Sequence, residues 1–197
     1  MQIIFSGALM AFFLLSSTGI PPVDVPAELS EITEVVESAP MEPEYPMYSV
    51  KMTGYNAVPE QTNEDPMTTA SGARSNPETI VARSRDLAEQ LPYGTIIEIL
   101  PKKGITNPCG VSAVEHLIGY RIVADTMHPR KKNQIDIMFE TGKSVQVGNK
   151  KVNPAVALGV CNDIEIRVVG YVDIQKIPKS QMELAARIDG LKLALRK

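Results

Sequence analysis

Short apolar runs recur along most of this chain, each four to seven residues long and separated by glycine, proline or polar turn residues. Several of them alternate apolar and polar residues with a period of two, which is the pattern of half-buried strands. The runs are 48–52, 79–82, 95–100, 120–124, 134–139, 143–147 and 163–169. Many short strands of this kind predict a mainly β fold, either a small closed barrel or a sandwich.

Helical patterns are confined to short segments. A short helix or turn is predicted over 84–91, and another over 154–159, where proline stands at the start and glycine at the end. In the last segment, 176–197, Ser180 and Glu183 form a capping-box pattern. Apolar residues follow at helical spacing, namely Leu184, Ile188, Leu191 and Leu195. A C-terminal helix is therefore predicted.

The first 49 residues differ from the rest. Residues 1–19 are almost all apolar or small, which predicts a secretory signal peptide, or an uncleaved N-terminal anchor because no positive charge from Lys or Arg precedes the apolar run. Residues 20–49 are proline-rich and acidic and predict a disordered, extended linker, either a stalk or a remnant of processing. The single predicted domain is then 50–175, followed by the helix.

Charge is distributed unevenly. Of the 23 acidic residues, seven lie in 20–50, where no Lys or Arg occurs, so 16 remain against all 20 basic residues in the folded part. This mild positive surplus suits a polyanionic envelope polymer, but it is too small to indicate nucleic acid as a partner.

Two aspartates, Asp125 and Asp136, stand eleven residues apart, each next to an apolar run. Strands that each deliver one carboxylate to a shared cleft are a way for a small β-protein to build an acid pair. The alternative is that both aspartates only cap turns through backbone N–H groups.

Other kinds of site have weaker signals. His116 and His128 have no metal-ligand partner at a recognisable spacing, so neither a metal nor another cofactor is predicted. The chain has no Gly-x-Ser-x-Gly motif and no phosphate-binding loop. Cys109 and Cys161 are the only cysteines, and they form either a disulfide, as expected in an exported chain, or two buried thiols.

Several motifs in order resemble the 3D (three-aspartate) domain family. They span roughly Val50 to Val169 and comprise Thr53-Gly54-Tyr55, 61–72, 80–82, 91–95, Val123 to Met127, Arg130, Ile135-Asp136 and 155–159. The resemblance implies a six-stranded double-psi β-barrel, related to the rare-lipoprotein-A-like barrels and to the barrel of membrane-bound lytic transglycosylase A.

The resemblance also implies an activity, cleavage of the glycan strands of peptidoglycan. On that basis Asp125 is expected to act as general acid and then base, with Asp136 holding it in place, raising its pKa or stabilising oxocarbenium charge. Tyr55, Thr69 and Ser71 are expected to hydrogen-bond the sugar or the acid, although the last two could simply build a tight turn. Arg130 is expected to pair with a substrate carboxylate or to neutralise an aspartate.

The chain departs from the family pattern in two places. The usual Asp-Thr-Gly-Gly-Ala-Ile is here Asp125-Thr126-Met127-His128-Pro129-Arg130, so bulkier residues replace a glycine-rich turn. The first family aspartate is replaced by Ser84, and Asp86 is the candidate substitute in substrate binding.

The function expected from these features is that of a lytic transglycosylase in cell-wall remodelling, exported to the cell envelope and anchored in the membrane if the leader is retained. The alternative is a barrel that binds peptidoglycan without cutting it.

Overall fold

A computed structural model describes residues 45–62, 65–100 and 109–195. The predicted signal or anchor segment, 1–19, and most of the predicted linker lie outside the described residues. The strands are β1 (Met47–Asn56), β2 (Ile80–Arg83), β3 (Thr95–Leu100), β4 (Arg121–Thr126), β5 (Gln134–Phe139), β6 (Val145–Val147), β7 (Lys150–Val152) and β8 (Cys161–Tyr171). The helices are α1 (Val111–Ile118), α2 (Pro154–Leu158) and α3 (Gln181–Leu195), with 3₁₀ turns at Arg85–Leu87 and Ile174–Lys176.

Within this part of the chain, six strands close into a barrel in the order β1-β5-β2-β4-β3-β8. β1 runs parallel to β5 and β2 runs parallel to β4, whereas the other neighbours in the barrel are antiparallel. β6 and β7 form a separate antiparallel hairpin. The predicted mainly β fold with a six-stranded barrel is confirmed, and its mixed strand directions accord with the double-psi arrangement.

The period-two pattern of the strands separates two faces of the barrel wall. One apolar cluster takes residues from all the barrel strands and fills the interior, for example Val50, Val81, Ile97, Val123, Ile135 and Ile164. A smaller cluster lies on the opposite face of β1, β2, β4 and β5, and it contains Tyr55, Ala73, Ile80, Ala82, Ala124, Met127 and Met138. Residues adjacent in sequence, such as Val81 and Ala82, therefore face different environments.

The C-terminal helix is confirmed, and it covers another part of the outer wall. Leu184 and Ile188 are fully buried and pack with Ile96 and Ile122 of the barrel. The Ser180 hydroxyl accepts a hydrogen bond from the Glu183 N–H, as the capping pattern predicts. The Glu183 carboxylate accepts the N–H of Lys179, one residue before the cap.

Three elements differ from the sequence prediction. β1 begins at Met47, inside the predicted linker, because Tyr48 already pairs with Ile166 of β8. The predicted strand 143–147 is half of the β6–β7 hairpin. Helix α1 was not predicted, since its N-cap is Gly110, which offers no side-chain cap and hence no capping signal in the sequence.

A disulfide joins Cys109, just before α1, to Cys161, the first residue of β8. Replacing both cysteines with alanine is expected to lower the free energy of unfolding by about 2–4 kcal/mol, because the unfolded chain loses a constraint across 52 residues. Urea unfolding of the parent and the double variant measures the difference. Reductant should destabilise only the parent, and equal stability of the two oxidised proteins would contradict the prediction.

Candidate active site

Four side chains form a row across neighbouring strands of the barrel wall. Thr53 of β1 is paired in register with Asp136 of β5, Asp136 with Ala82 of β2, and Ala82 with Asp125 of β4. Register partners on adjacent strands face the same side of a sheet, so the two aspartates flank Ala82 on one surface. Two strand spacings separate their Cα atoms by about 10 Å. The small alanine leaves the space between the carboxylates open.

An irregularity in β4 turns Asp125 toward this surface. Strict alternation would place Asp125 on the same side as Val123, which is fully buried in the barrel interior. The pairing of β2 with β4 shifts by one residue between Val81 and Ala82, so Ala124 is extra in β4. A bulge of this kind re-aims the side chain that follows it. The prediction that both strands deliver their aspartates to one cleft therefore depends on this extra residue.

Asp125 is held by donors on both oxygens. Oδ2 accepts a hydrogen bond from the Tyr55 hydroxyl at 2.8 Å. Oδ1 accepts the backbone N–H of Ala70 at 2.9 Å and that of Thr126 at 2.8 Å. Because backbone N–H groups can only donate, Oδ1 acts solely as an acceptor. The side chain is consequently fixed in orientation by three separate segments of the chain.

Asp136 accepts fewer hydrogen bonds than Asp125 and is half-buried. Its Oδ1 accepts the Thr53 hydroxyl at 2.7 Å, and Thr53 Oγ1 in turn accepts from Gln134 Nε2 at 2.8 Å. Burial raises the pKa of Asp136 to about 6; the hydrogen bond from Thr53 and the charge of Lys131 oppose this shift, and the charge of Asp125 adds to it. A carboxyl of this kind still carries its proton in part of the population near neutral pH.

Tyr55 links the two acids electrostatically. Burial raises its pKa well above the usual value, and the charge of Asp125 and the hydrogen bond to it add to that effect, with a smaller contribution from Asp136. Tyr55 therefore stays protonated at any physiological pH and remains a donor to Asp125.

An open cleft of about 560 Å³ lies over the row. The barrel wall contributes Tyr55, Ala82, Asp125 and Asp136, and the loop 57–75 forms the opposite side, with Glu60, Gln61, Thr62, Pro66, Thr68, Ala70 and Ser75. The segment after β4 forms the rim with His128, Pro129 and Lys131, and Arg85 also lines the cleft. Both carboxylates thus face a space large enough for part of a polymeric substrate.

The predicted sugar-binding residues Thr69 and Ser71 lie behind the cleft and do not line it. The Thr69 hydroxyl donates to the carbonyl of Ala73, so the Ser71 hydroxyl is the donor in its contact with Thr69. The N–H of Ser71 donates to the carbonyl of Ala124. These bonds fold the loop so that the N–H of Ala70 reaches Asp125, which gives Thr69 and Ser71 a positioning role.

Arg130 and Asp86 also lie away from the cleft lining. Arg130 is exposed, and both its N–H and its side chain contact His128 Nδ1. The Asp86 carboxylate accepts the N–H of Asn133. Slight burial of Asp86 acts to raise its pKa, but hydrogen bonds from Asn133 and Ser84 outweigh it, so the pKa is lowered. Asp86 thus fastens a turn to the start of β5, and the cations that reach the cleft are Arg85 and Lys131.

The sequence interpretation overlooked several residues of the site. Thr53, which fixes Asp136, belongs to the Thr53-Gly54-Tyr55 motif. The motif was recognised, but only Tyr55 was predicted to have a role in the site. Ala82 likewise belongs to a matched motif, and only the register of three strands reveals that it separates the acids. Met127, which follows Asp125-Thr126, is buried in the outer cluster and closes the floor of the site.

The described residues contain no group of three or more His, Cys, Asp or Glu side chains placed to hold a metal ion. Among the helices of those residues, none has the length and apolar character needed to cross a bilayer.

The raised pKa of Asp136 predicts a pH-dependent gain in stability for Asp136→Asn. Because the folded pKa of about 6 lies above the unfolded value, Asp136 disfavours folding as pH rises through 6 and has no such effect below about pH 4. Asparagine cannot ionise and keeps an acceptor for Thr53. We expect Asp136→Asn to be more stable than the parent by about 1–3 kcal/mol at pH 7.5 and equally stable at pH 3.5.

Urea unfolding at both pH values measures this difference. Asp189→Asn, at an exposed position on α3, serves as the matched control and should change little at either pH. A less stable Asp136→Asn protein at pH 7.5 would contradict the prediction.

No protein-family model matches the chain, and no curated protein matches it either.

Proposed function

We propose that this protein is a 3D-domain barrel that cleaves the glycan strands of peptidoglycan as a lytic transglycosylase. The observation that carries the proposal is the pair Asp125 and Asp136, which flank Ala82 in an open cleft, with the pKa of Asp136 raised to about 6. Glycosidic cleavage requires a carboxyl that still holds a proton near neutral pH beside a second carboxyl that does not donate one.

In the proposed reaction, Asp136 donates its proton to the oxygen of the scissile glycosidic bond as the bond between that oxygen and the anomeric carbon breaks. The resulting Asp136 carboxylate then accepts the proton of the same sugar's 6-hydroxyl while the hydroxyl oxygen attacks the anomeric carbon. The products are one strand with a free hydroxyl and one with a 1,6-anhydro end, and Asp136 regains its proton.

This assignment exchanges the roles expected from the sequence, where Asp125 was the proton donor. Asp125 receives hydrogen bonds from two backbone N–H groups and Tyr55, so its oxygens are arranged as acceptors. A carboxylate fixed in this way suits electrostatic stabilisation of the positive charge that develops on the sugar ring. Asp136, whose pKa is raised by burial, suits proton transfer.

Two cations in the cleft could each bind a carboxylate of an anionic polymer, although the lining also contains Glu60, Asp125 and Asp136. Arg85 and Lys131 line the cleft beside the acids, and peptidoglycan carries carboxylates on its lactyl groups and stem peptides. In this proposal Arg85 and Lys131, and not Arg130, pair with the carboxylates of the substrate. We also propose that the protein works on the outer side of the membrane, exported or anchored through residues 1–19, and the disulfide between Cys109 and Cys161 supports an oxidising compartment.

A second candidate function is binding of peptidoglycan without cleavage. Met127 and His128 line the cleft where the family pattern has glycines, so the cleft wall is bulkier than in that pattern. A narrowed entrance favours grip on a strand over the close approach that cleavage requires.

The test is to incubate the full chain with purified peptidoglycan and to analyse soluble products by mass spectrometry, beside an Asp125→Asn, Asp136→Asn double variant. Products with 1,6-anhydro ends from the parent alone are expected. Reducing ends without anhydro sugars would indicate hydrolysis by the same acids. Sedimentation of the protein with the polymer, without soluble products, would replace the proposed function with the binding one.

A further inference from the structure

Tyr93 is an exposed aromatic residue held in a fixed position beside the acid pair. Its hydroxyl hydrogen-bonds to the side chain of Thr126, the residue that follows Asp125 and lines the cleft. The N–H of Thr126 itself binds Asp125 Oδ1. Tyr93 itself is outside the cleft lining, but its hydroxyl contacts Thr126, which lines the cleft one residue after a proposed catalytic carboxylate.

One face of the Tyr93 ring is occupied. The guanidinium carbon of Arg83 lies 4.9 Å from the ring centroid, which is cation–π geometry. Arg83 is buried and donates from Nε to the carbonyl of Leu91, so it supports the ring from inside the protein. Tyr93 nevertheless keeps 37% of its surface exposed. The exposed area consequently belongs mainly to the opposite face and the edges of the ring.

The turn that carries Tyr93 is rigid. Gly94 has a φ of 90°, in the region that favours glycine, and a Cβ there would overlap the carbonyl of Val172. The Gly94 N–H donates to the Val123 carbonyl at 2.9 Å, and the Gly94 carbonyl accepts from Val172 at 2.8 Å. Because the turn is hydrogen-bonded to β4 and to the residue after β8, little conformational freedom is lost when a ligand meets the ring.

We propose that Tyr93 is a stacking platform for a pyranose ring of the glycan strand, next to the sugar that is cleaved. The inference rests on the proposed function and adds to it a subsite that recognises the sugar itself, independently of the peptide. Pyranose rings present a face of C–H groups, which packs on the flat apolar face of an aromatic ring, while the polar tip of the tyrosine remains hydrogen-bonded to protein.

The experiment measures binding of peptide-free glycan strands, prepared by removing the stem peptides with an amidase. All chains carry Asp136→Asn so that the ligand is not consumed. In that background Tyr93→Leu keeps an apolar side chain over Arg83 but removes the flat face, and Tyr93→Phe keeps the ring without the hydroxyl. Tyr171→Leu is the matched control, because Tyr171 is exposed on β8.

We expect Tyr93→Leu to raise Kd about five- to tenfold, Tyr93→Phe to stay within about twofold, and Tyr171→Leu to have no effect. Equal loss in Tyr93→Leu and Tyr93→Phe would overturn the stacking role, because the hydroxyl would then be responsible. Unchanged binding in Tyr93→Leu, with the parent still cleaving peptidoglycan, would overturn the inference and leave the proposed function standing. If the parent chain neither binds nor cleaves, both fall.

Discussion

Replacing Asp136 with asparagine is expected to lower the rate of glycan cleavage by about 10²- to 10⁴-fold, the usual contribution of a general acid. Asparagine has the same shape and keeps the bond to Thr53, so the cleft retains its geometry, but it cannot donate a proton and then take one back. Release of anhydro-sugar products, followed with time by mass spectrometry, gives the rate. Asp189→Asn, at an exposed position on α3, should cleave at the parental rate.

The pH dependence separates the roles of the two acids. Activity of the parent should fall as pH rises through about 6, because Asp136 then loses the proton that the leaving oxygen needs. Asp125→Asn should retain a weaker activity that still falls with rising pH. This fall should occur at lower pH than in the parent, since the charge of Asp125 helps to raise the pKa of Asp136. If Asp125→Asn abolishes the fall in activity with rising pH and Asp136→Asn preserves it, the roles expected from the sequence are correct instead.

Arg121→Met is expected to lower the free energy of unfolding by about 3–5 kcal/mol, more than any other single substitution considered. Arg121 is fully buried, and its guanidinium donates to backbone carbonyls from three parts of the fold. Those carbonyls belong to Leu117, Ile118, Pro77, Ile80 and Met138. Burial lowers the pKa of Arg121 to about 10, so the side chain remains charged at neutral pH. Methionine fills similar space but leaves these acceptors without their donor.

Urea unfolding measures the loss, with Arg187→Met as the matched control. Arg187 is exposed on α3, and its replacement should change the free energy of unfolding by no more than about 0.5 kcal/mol. A loss below about 1 kcal/mol for Arg121→Met would mean that water or other donors satisfy the carbonyls. The Arg121 guanidinium holds the end of α1 against β2 and β5 in the folded protein. Its loss does not change the surface that unfolding exposes, so the urea midpoint should fall while the slope of free energy against urea concentration stays the same.

The barrel strands could be predicted because alternation and turn residues act locally. In Gln134–Phe139, Ile135 and Ile137 are directed inward and alternate with the polar Gln134 and Asp136. The closing of the sheet, with β1 parallel to β5, depends on contacts between residues about 80 positions apart. No local pattern encodes such a pairing; the resemblance to a known family predicted a six-stranded barrel but not which strands pair.

The site could be predicted as a set of residues but not as an arrangement. The two aspartates were identified from their positions beside apolar runs, yet which of them carries the proton depends on burial and on donors from distant segments, such as the N–H of Ala70. A backbone group has no signature in a sequence. For the same reason the sequence left two roles open for Thr69 and Ser71, contacts to the sugar or the acid and a tight turn, and their hydroxyls are used inside the loop.

Arg121 illustrates a different limit. An arginine at the start of a strand, directly after Gly119-Tyr120, is ordinarily a surface residue, and propensity alone assigns it to solvent. It is buried here because the end of α1 presents free carbonyls that need a donor. Since α1 itself lacks a capping signal, its partner could not be recognised either.

The extra residue in β4 affects how the sequences of related barrels should be compared. The side to which Asp125 points is determined by how many residues separate it from Val123, and not by its identity alone. A homologue that lacks one residue at the position of Ala124 would keep the aspartate in an alignment with a gap, yet would direct it into the barrel interior. Comparisons among such barrels should therefore consider strand length as well as residue identity, because loss of one residue at the position of Ala124 is expected to remove a carboxylate from the cleft.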